Sequence, residues 1–278
     1  MNSRDMQVIG LCRFSYPALG GFQVKHETVE DRIHYLYAED RLEERFRLFE
    51  TIALPSLRHQ TDPNFDLIIV VGDTFPEKHL ERLIDLTQDM PQVHIMPLAP
   101  GNHREVMKKT LNLARRDPDA PCLQFRFDDD DAVSVDFVKR LRTTAQQCSG
   151  LLKQNRSVAI DFSRGYIAEV GPDGIAVSEQ ISPYVTPALG MYVKGGSGLT
   201  IMNFSHVKIH RFMPAVCISD EPMWLRTYNA YNDSRQKEVK EVPVTPITPE
   251  QEVEVKARFG VDADLVRQAF APDRTRSR

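Results

Sequence analysis

Four consecutive carboxylates, Asp128, Asp129, Asp130 and Asp131, follow directly on the strand-like Cys122-Leu123-Gln124-Phe125-Arg126-Phe127 near the middle of the 278-residue chain. Adjacent carboxylates repel one another, and a fold that gathers them at a strand end needs a cation to relieve the repulsion. Mg²⁺ or Mn²⁺ suits such a place. Either ion takes hard oxygen ligands, usually one or two protein carboxylates, and completes its shell with water and substrate phosphate. While the chain stays extended, Asp128 and Asp130 face one side and Asp129 the other, which is a D-x-D spacing. A run of acids alone also fits a solvated surface turn. The apolar strand in front of it favours the metal reading.

Other candidates lie where further apolar runs stop. Gln7 to Arg13 reads as a first strand that ends in a Pro- and Gly-containing loop, so Arg13 can meet a phosphate or a base edge, or be simply solvated. Phe65 to Val71 reads as a strand buried on both faces and breaks at Gly72-Asp73, where Asp73 can accept from a base or ribose. A helix from His103 to about Arg116 opens with Arg104, Lys108 and Lys109. Lys194-Gly195-Gly196-Ser197-Gly198 lacks the spacing of any phosphate-binding glycine motif and reads as a turn. Asp220-Glu221-Pro222 reads as a helix start, with Ser219 or Asp220 as cap and Pro222 in the first turn. Its functional reading is a general base.

The elements that position these groups alternate. An amphipathic helical stretch runs from Thr28 to about Gln60, carries Leu42, Phe46, Phe49 and Ala53 on one face, and ends near Leu54-Pro55. A helix over Pro76 to Leu86, a strand over Val93 to Leu98, the helix from His103 and the strand into Asp128 follow. Such a series predicts a doubly wound α/β sheet with ligands at the carboxyl ends of its strands. Further on, a helix reaches about Cys148 and Val158 to Phe162 is a strand. Gly171-Pro172-Asp173-Gly174 marks a hairpin. Leu199 to Met202 and Ala215 to Ser219 read as short strands, and His206 and His210 as surface histidines. Val242 to Pro249 reads as extended, Glu252 to Ala269 as a helix broken at Gly260, and Arg274 to Arg278 as frayed.

Composition narrows the functional classes. Hydrophobic residues make up 41% and charged residues 27%, as in an ordinary folded protein. The net charge of -4 gives no basic footprint for nucleic acid. No apolar run approaches the length of a membrane span, and the first residues carry no secretory pattern. Cys12, Cys122, Cys148 and Cys217 match no metal or redox spacing, so a reduced, cytoplasmic chain is expected.

The run Arg126 to Ala132 is similar to the hydrophobic-D-x-D-D pattern of glycosyltransferases of the GT-A fold. Arg47-Leu48-Phe49 through Leu54-Pro55-Ser56-Leu57, Gln60 to Phe65 and the strand to Val71 resemble the same family. With Cys12-Arg13-Phe14-Ser15, the chain resembles bacterial rhamnosyltransferases from about Val8 to Asp233. The resemblance implies a mostly parallel, Rossmann-like sheet with helices on both faces and a smaller mixed acceptor part. It implies a domain over residues 1–240, with a nucleotide-sugar half to about 135 and an acceptor half beyond, and an extension over 241–278. The donor would be a nucleotide-diphosphate sugar, contacted by Arg13, Asp73, Arg104, Asp128 and Asp129. Asp128, Asp130 and Asp131 would hold Mn²⁺ or Mg²⁺. Asp220-Glu221 resembles the acidic pair that serves as base in inverting members, in D-E rather than E-D order. The late histidine ligand of some members has no counterpart in Tyr228 to Asp233. The acceptor would be a glycan or another hydroxyl. A metal-dependent phosphohydrolase or nucleotidyltransferase, and a nucleotide-sugar-binding module without turnover, are the competing readings.

Overall fold

The computed structural model describes residues 6–20, 27–228 and 242–272. The expected stretches Asn229 to Asp233 and Arg274 to Arg278, and the boundary at 240/241, lie outside them. The chain begins with β1 (Gln7–Arg13), then α1 (Val29–Leu36), α2 (Glu39–Leu48) and α3 (Leu54–Arg58). β2 (Asp66–Gly72), α4 (Glu77–Thr87), β3 (Val93–Leu98), α5 (His103–Leu113) and β4 (Cys122–Asp128) complete the alternating part. β5 (Ala132–Val133), α6 (Phe137–Gln147), α7 (Ser149–Gln154) and β6 (Ser157–Phe162) follow. β7 (Arg164–Gly171) and β8 (Gly174–Ile181) form the expected hairpin, and β9 (Leu189–Val193), β10 (Ala215–Ile218), β11 (Trp224–Thr227) and β12 (Thr245–Pro246) come next. α8 (Pro249–Phe259) and α9 (Ala263–Phe270) close the chain, separated by Gly260, whose φ of 71° suits a residue without Cβ.

Seven strands form the main sheet in the order β10-β6-β9-β4-β1-β2-β3. Only β9 runs antiparallel to its neighbours. A strand buried on both faces has no polar side to show, and β2 is buried throughout. One face of the sheet, through Val8, Leu67, Ile69, Leu123, Phe125 and Ile160, packs on α2, α4 and α6. The other, through Ile9, Leu11, Val70 and Met191, packs on Met107 and Leu111 of α5 and on Ile201 and Ile209. The expected α/β architecture is therefore present. Strands from both sides of residue 135 share this sheet. A second sheet, β12-β8-β7-β11-β5, packs on α8 and α9 through Ala168, Ile175, Leu225, Val255, Phe259 and Val266.

Three local expectations are corrected. The helix does not end at Leu54-Pro55. Phe49–Ala53 is a π-helical segment in which the Leu54 N–H bonds Phe49 O, and the wider turn lets Pro55 enter α3 without facing a helical carbonyl four residues back. Leu199 to Met202 is no strand. Ile201–Asn203 is a 3₁₀ turn, fixed by the Ile201 N–H on Gln124 Oε1 at 3.1 Å and by a Thr200–Asn203 capping box. Asp220-Glu221-Pro222 starts no helix either. Trp224 to Thr227 is β11, parallel to β7 and antiparallel to β5.

Candidate active site

In β1 the side chains of Ile9, Leu11 and Arg13 share a face, and in β4 so do Cys122, Gln124, Arg126 and Asp128. Register then sets Arg13 opposite Asp128, and Leu11 opposite Arg126, at the carboxyl ends of two central parallel strands. His103, the first residue of α5, joins them from the loop above. Leu11, Arg13, His103, Arg126, Asp128 and Met202 enclose a gap of about 20 Å³, room for one water-sized group. Arg104 stands next to His103, exposed.

The field in this crevice is positive. Burial, reinforced by the charges of Arg13, Arg126 and Arg104, pushes the His103 imidazole down to about 3, so it is neutral. Burial opposes the charge on Asp128, but Arg126, Arg13 and Arg226 outweigh it and hold the carboxyl below its ordinary range. Burial and Arg126 also lower His206, whose Nδ1 lies 2.7 Å from Tyr184 O. His206 thus belongs to the surroundings of the crevice and is half-buried.

The rest of the acidic run points elsewhere. The chain turns at Asp129-Asp130, so the extended alternation stops at Asp128. Arg45 of α2 takes both carboxylates: its Nε and Nη2 donate to the two oxygens of Asp129, and its Nη1 donates to Asp130 at 3.0 Å. Asp131 accepts the Thr227 N–H at 3.1 Å, and the Thr227 hydroxyl donates to Asp130 O at 2.7 Å. Asp129, Asp130 and Asp131 are all buried. Burial, then the charge of Asp130, raises Asp131 well above the usual carboxylate range, while Arg226 opposes the shift.

This geometry is a poor fit for the expected Mn²⁺ or Mg²⁺ site. Asp130 is turned to Arg45 and Asp131 to β11; of the three proposed ligands only Asp128 reaches the crevice, where Arg13 and Arg126 already face it. Asp129 is likewise turned to Arg45. Among the described residues, the carboxylate and imidazole groups that do gather are Glu39, Glu43 and His79, on α2 and α4. Lys78 Nζ lies 2.8 Å from Glu39 and Arg82 Nη1 2.9 Å from Glu43, so those charges are already met.

Asp73 follows β2 in an exposed turn, with its N–H on Leu98 O at 3.0 Å, and its charge is felt by Tyr16 and Tyr37. It is not part of the gap around Arg13. Asp220 and Glu221 are brought to a different place, a cavity of about 640 Å³ lined also by Arg164, Tyr166, Arg258 and Phe259. Arg140 bonds both acids, at 2.7 Å to Asp220, and Arg258 bonds Glu221 at 2.8 Å. Burial opposes Asp220's charge but Arg140 outweighs it, and Arg258 and Arg140 lower Glu221, so both are weak bases. β11, Trp224–Thr227, lies in the chain between this pair and Thr227, which bonds Asp131, and that strand alone spans about 10 Å.

The family model described as "Putative rhamnosyl transferase" matches residues 7–241. The chain belongs to this family. Arg13, His103, Arg126 and Asp128 all lie inside the matched region. Among solved structures, S. aureus TarS 1–349 aligns with a TM-score of 0.40 and 12% identity, over 80% of this chain and 60% of that one. Its complex with UDP gives 0.39 and 11%, with the same coverage. The 4-diphosphocytidyl-2C-methyl-D-erythritol synthase of Anaerococcus prevotii gives 0.36 and 10%, over 78% of this chain and 90% of that one. The chain spans about three fifths of the TarS fragment. Among curated proteins none matches it in sequence. No helix among its described residues is long and apolar enough to cross a membrane.

His103, Arg126 and Arg45 were not among the expected site residues. A signal for Arg126 exists in the alternation of β4, which sets it two residues before Asp128 on the same side. Arg45 reads as one charge among many on α2, because its partners are 84 and 85 residues away.

Proposed function

We propose that this protein transfers a sugar, rhamnose on the family's description, from a nucleotide-diphosphate sugar to a hydroxyl of a glycan or other acceptor. The observation that carries the reading is the set of guanidinium groups around Asp128 where β1 and β4 end, beside the first turn of α5. Such a crevice favours an anion, and the carboxyl ends of parallel strands are where α/β sheets take their ligands. The acceptor oxygen bonds the anomeric carbon and gives up its hydroxyl proton to solvent, the bond from that carbon to the diphosphate oxygen breaks, and its electron pair leaves on the diphosphate. Fixed guanidinium donors stabilise that charge as it develops. Asp73 and Arg104 are proposed contacts for the nucleoside and the diphosphate. Asp220 and Glu221, paired with arginines and remote from Asp128, are poorly suited to take the acceptor's proton.

Thermal unfolding against UDP, dTDP and GDP, and against their sugars, tests the donor class. A ligand at about 100 times its dissociation constant adds about 2.7 kcal/mol of stability. Stabilisation by one nucleotide family, followed by acceptor-dependent release of that nucleotide from its rhamnose conjugate, is the expected result. Release that ignores the acceptor would favour a phosphohydrolase, and stabilisation by none of the nucleotides would overturn the reading.

A further inference from the structure

The acids of the central run and the arginines around them divide into two layers. In the inner layer Asp129, Asp130 and Asp131 are buried against Arg45 and Arg226. Arg45 bonds Asp129 and Asp130, and Asp131 accepts the Thr227 N–H and lies in the field of Arg226. The acids of the inner layer thus already have partners within the protein. In the outer layer Arg13 and Arg126 face one carboxylate, Asp128, which also feels Arg226, and His103 beside them is neutral. The guanidinium groups outnumber the carboxylate, so the crevice is left with net positive charge, as it would be with a bound cation.

We infer that the donor diphosphate is bound by the guanidinium groups of this crevice in the role of a divalent cation, and that donor binding needs no metal ion. The inference rests on the donor reading above and goes beyond it. Coulomb's law states the reason. A dication placed at Asp128 would meet Arg13 and Arg126 at the same gap, whereas a diphosphate over the mouth of that gap meets two planar donor groups. Arg126 fixes the arrangement because its carbon chain rises from a central strand, between Gln124 and Asp128, and offers little freedom to leave.

Calorimetric titration of UDP, dTDP and GDP into the full chain, once in EDTA and once in Mn²⁺, tests this. The expected result is one nucleotide whose dissociation constants in the two buffers agree within about threefold. Binding that appears only with Mn²⁺ would overturn the inference and leave the donor reading standing. Absence of binding in both buffers would overturn the donor reading, and the inference with it. Two variants give signs that a metal site would not. Asp128→Asn should bind the nucleotide in EDTA about threefold or more tightly, since it removes the one negative charge, whereas loss of a metal ligand weakens binding. Arg126→Gln should weaken nucleoside diphosphate binding about tenfold and leave the nucleoside alone unaffected, the loss of one charge-assisted bond. Should Arg126→Gln fail to fold, Arg104→Gln at an exposed position carries the same expectation. Unchanged or weaker binding in Asp128→Asn, or unchanged binding in both arginine variants, would overturn the proposal.

Discussion

Arg45 grips Asp129 with two nitrogens, one oxygen each, and reaches Asp130 with the third, although helix α2 and the acidic run are 84 residues apart. All three side chains are buried. Removing one partner from such a group leaves uncompensated charge in the interior. Arg45→Ala is expected to destabilise the fold by about 3–5 kcal/mol, measured by urea unfolding at pH 7.5. A loss below about 1 kcal/mol would mean that the pair is exposed to water in solution.

Gly10 lies in β1 between β2 and β4, opposite Phe125, and a Cβ there would stand 2.3 Å from the Phe125 ring. Gly10→Ala is expected to cost about 1–3 kcal/mol through this overlap. It should also weaken nucleotide binding, because the strands it pushes apart end at Arg13 and Asp128. Unchanged thermal midpoint in the variant would show that β1 and β4 are less tightly set.

Asp161, fully buried in β6, accepts the Tyr184 N–H at 3.0 Å, but burial dominates and pushes its carboxyl up to about 6. Below about pH 4 folded and unfolded chains both hold this proton, and the group costs nothing. Between about 4 and 6 the unfolded chain releases it first, so stability falls as pH rises through that window. At about 1.4 kcal/mol per pH unit the loss above pH 6 is at most about 3 kcal/mol. Asp161→Asn is expected to be more stable than wild type at pH 7.5, with the difference vanishing near pH 4. An equal difference at both values would remove titration as its cause.

The neutral state of His103 depends on burial and on the arginines beside it, so an anion that offsets those charges must raise its proton affinity. Imidazole resonances followed by NMR against pH, with and without the nucleotide that binds, are expected to show His103 titrating at higher pH in the complex. A saturated complex with unshifted His103 would separate the bound phosphates from α5.

The sequence made the parallel frame legible where burial is uniform or periodic. Leu67 to Val71 is apolar because both its faces are covered, and the helix over residues 77–87 keeps one apolar stripe. It also made legible that Asp128 ends a central strand, which the structure sets opposite Arg13. What the run does with its charge was not legible, because the compensating groups come from α2 and β11. Pro222 after two acids carries every local mark of a helix start. Bonds from Met223 to Arg164 O and from Ser134 to Met223 O, made to distant strands, hold the segment extended instead.

The run Asp129 to Asp131 is also one of the short links between the two sheets, since β4 ends at Asp128 and β5 begins at Ala132, as Ser163 alone links β6 to β7. Three residues with every side chain fastened inside the protein make a stiff joint, with no slack to absorb a twist. A tilt of the smaller sheet at β5 therefore meets no slack in this link before it reaches Asp128. In mechanical terms the acidic run is a rigid coupling rod whose near end lies among the arginines.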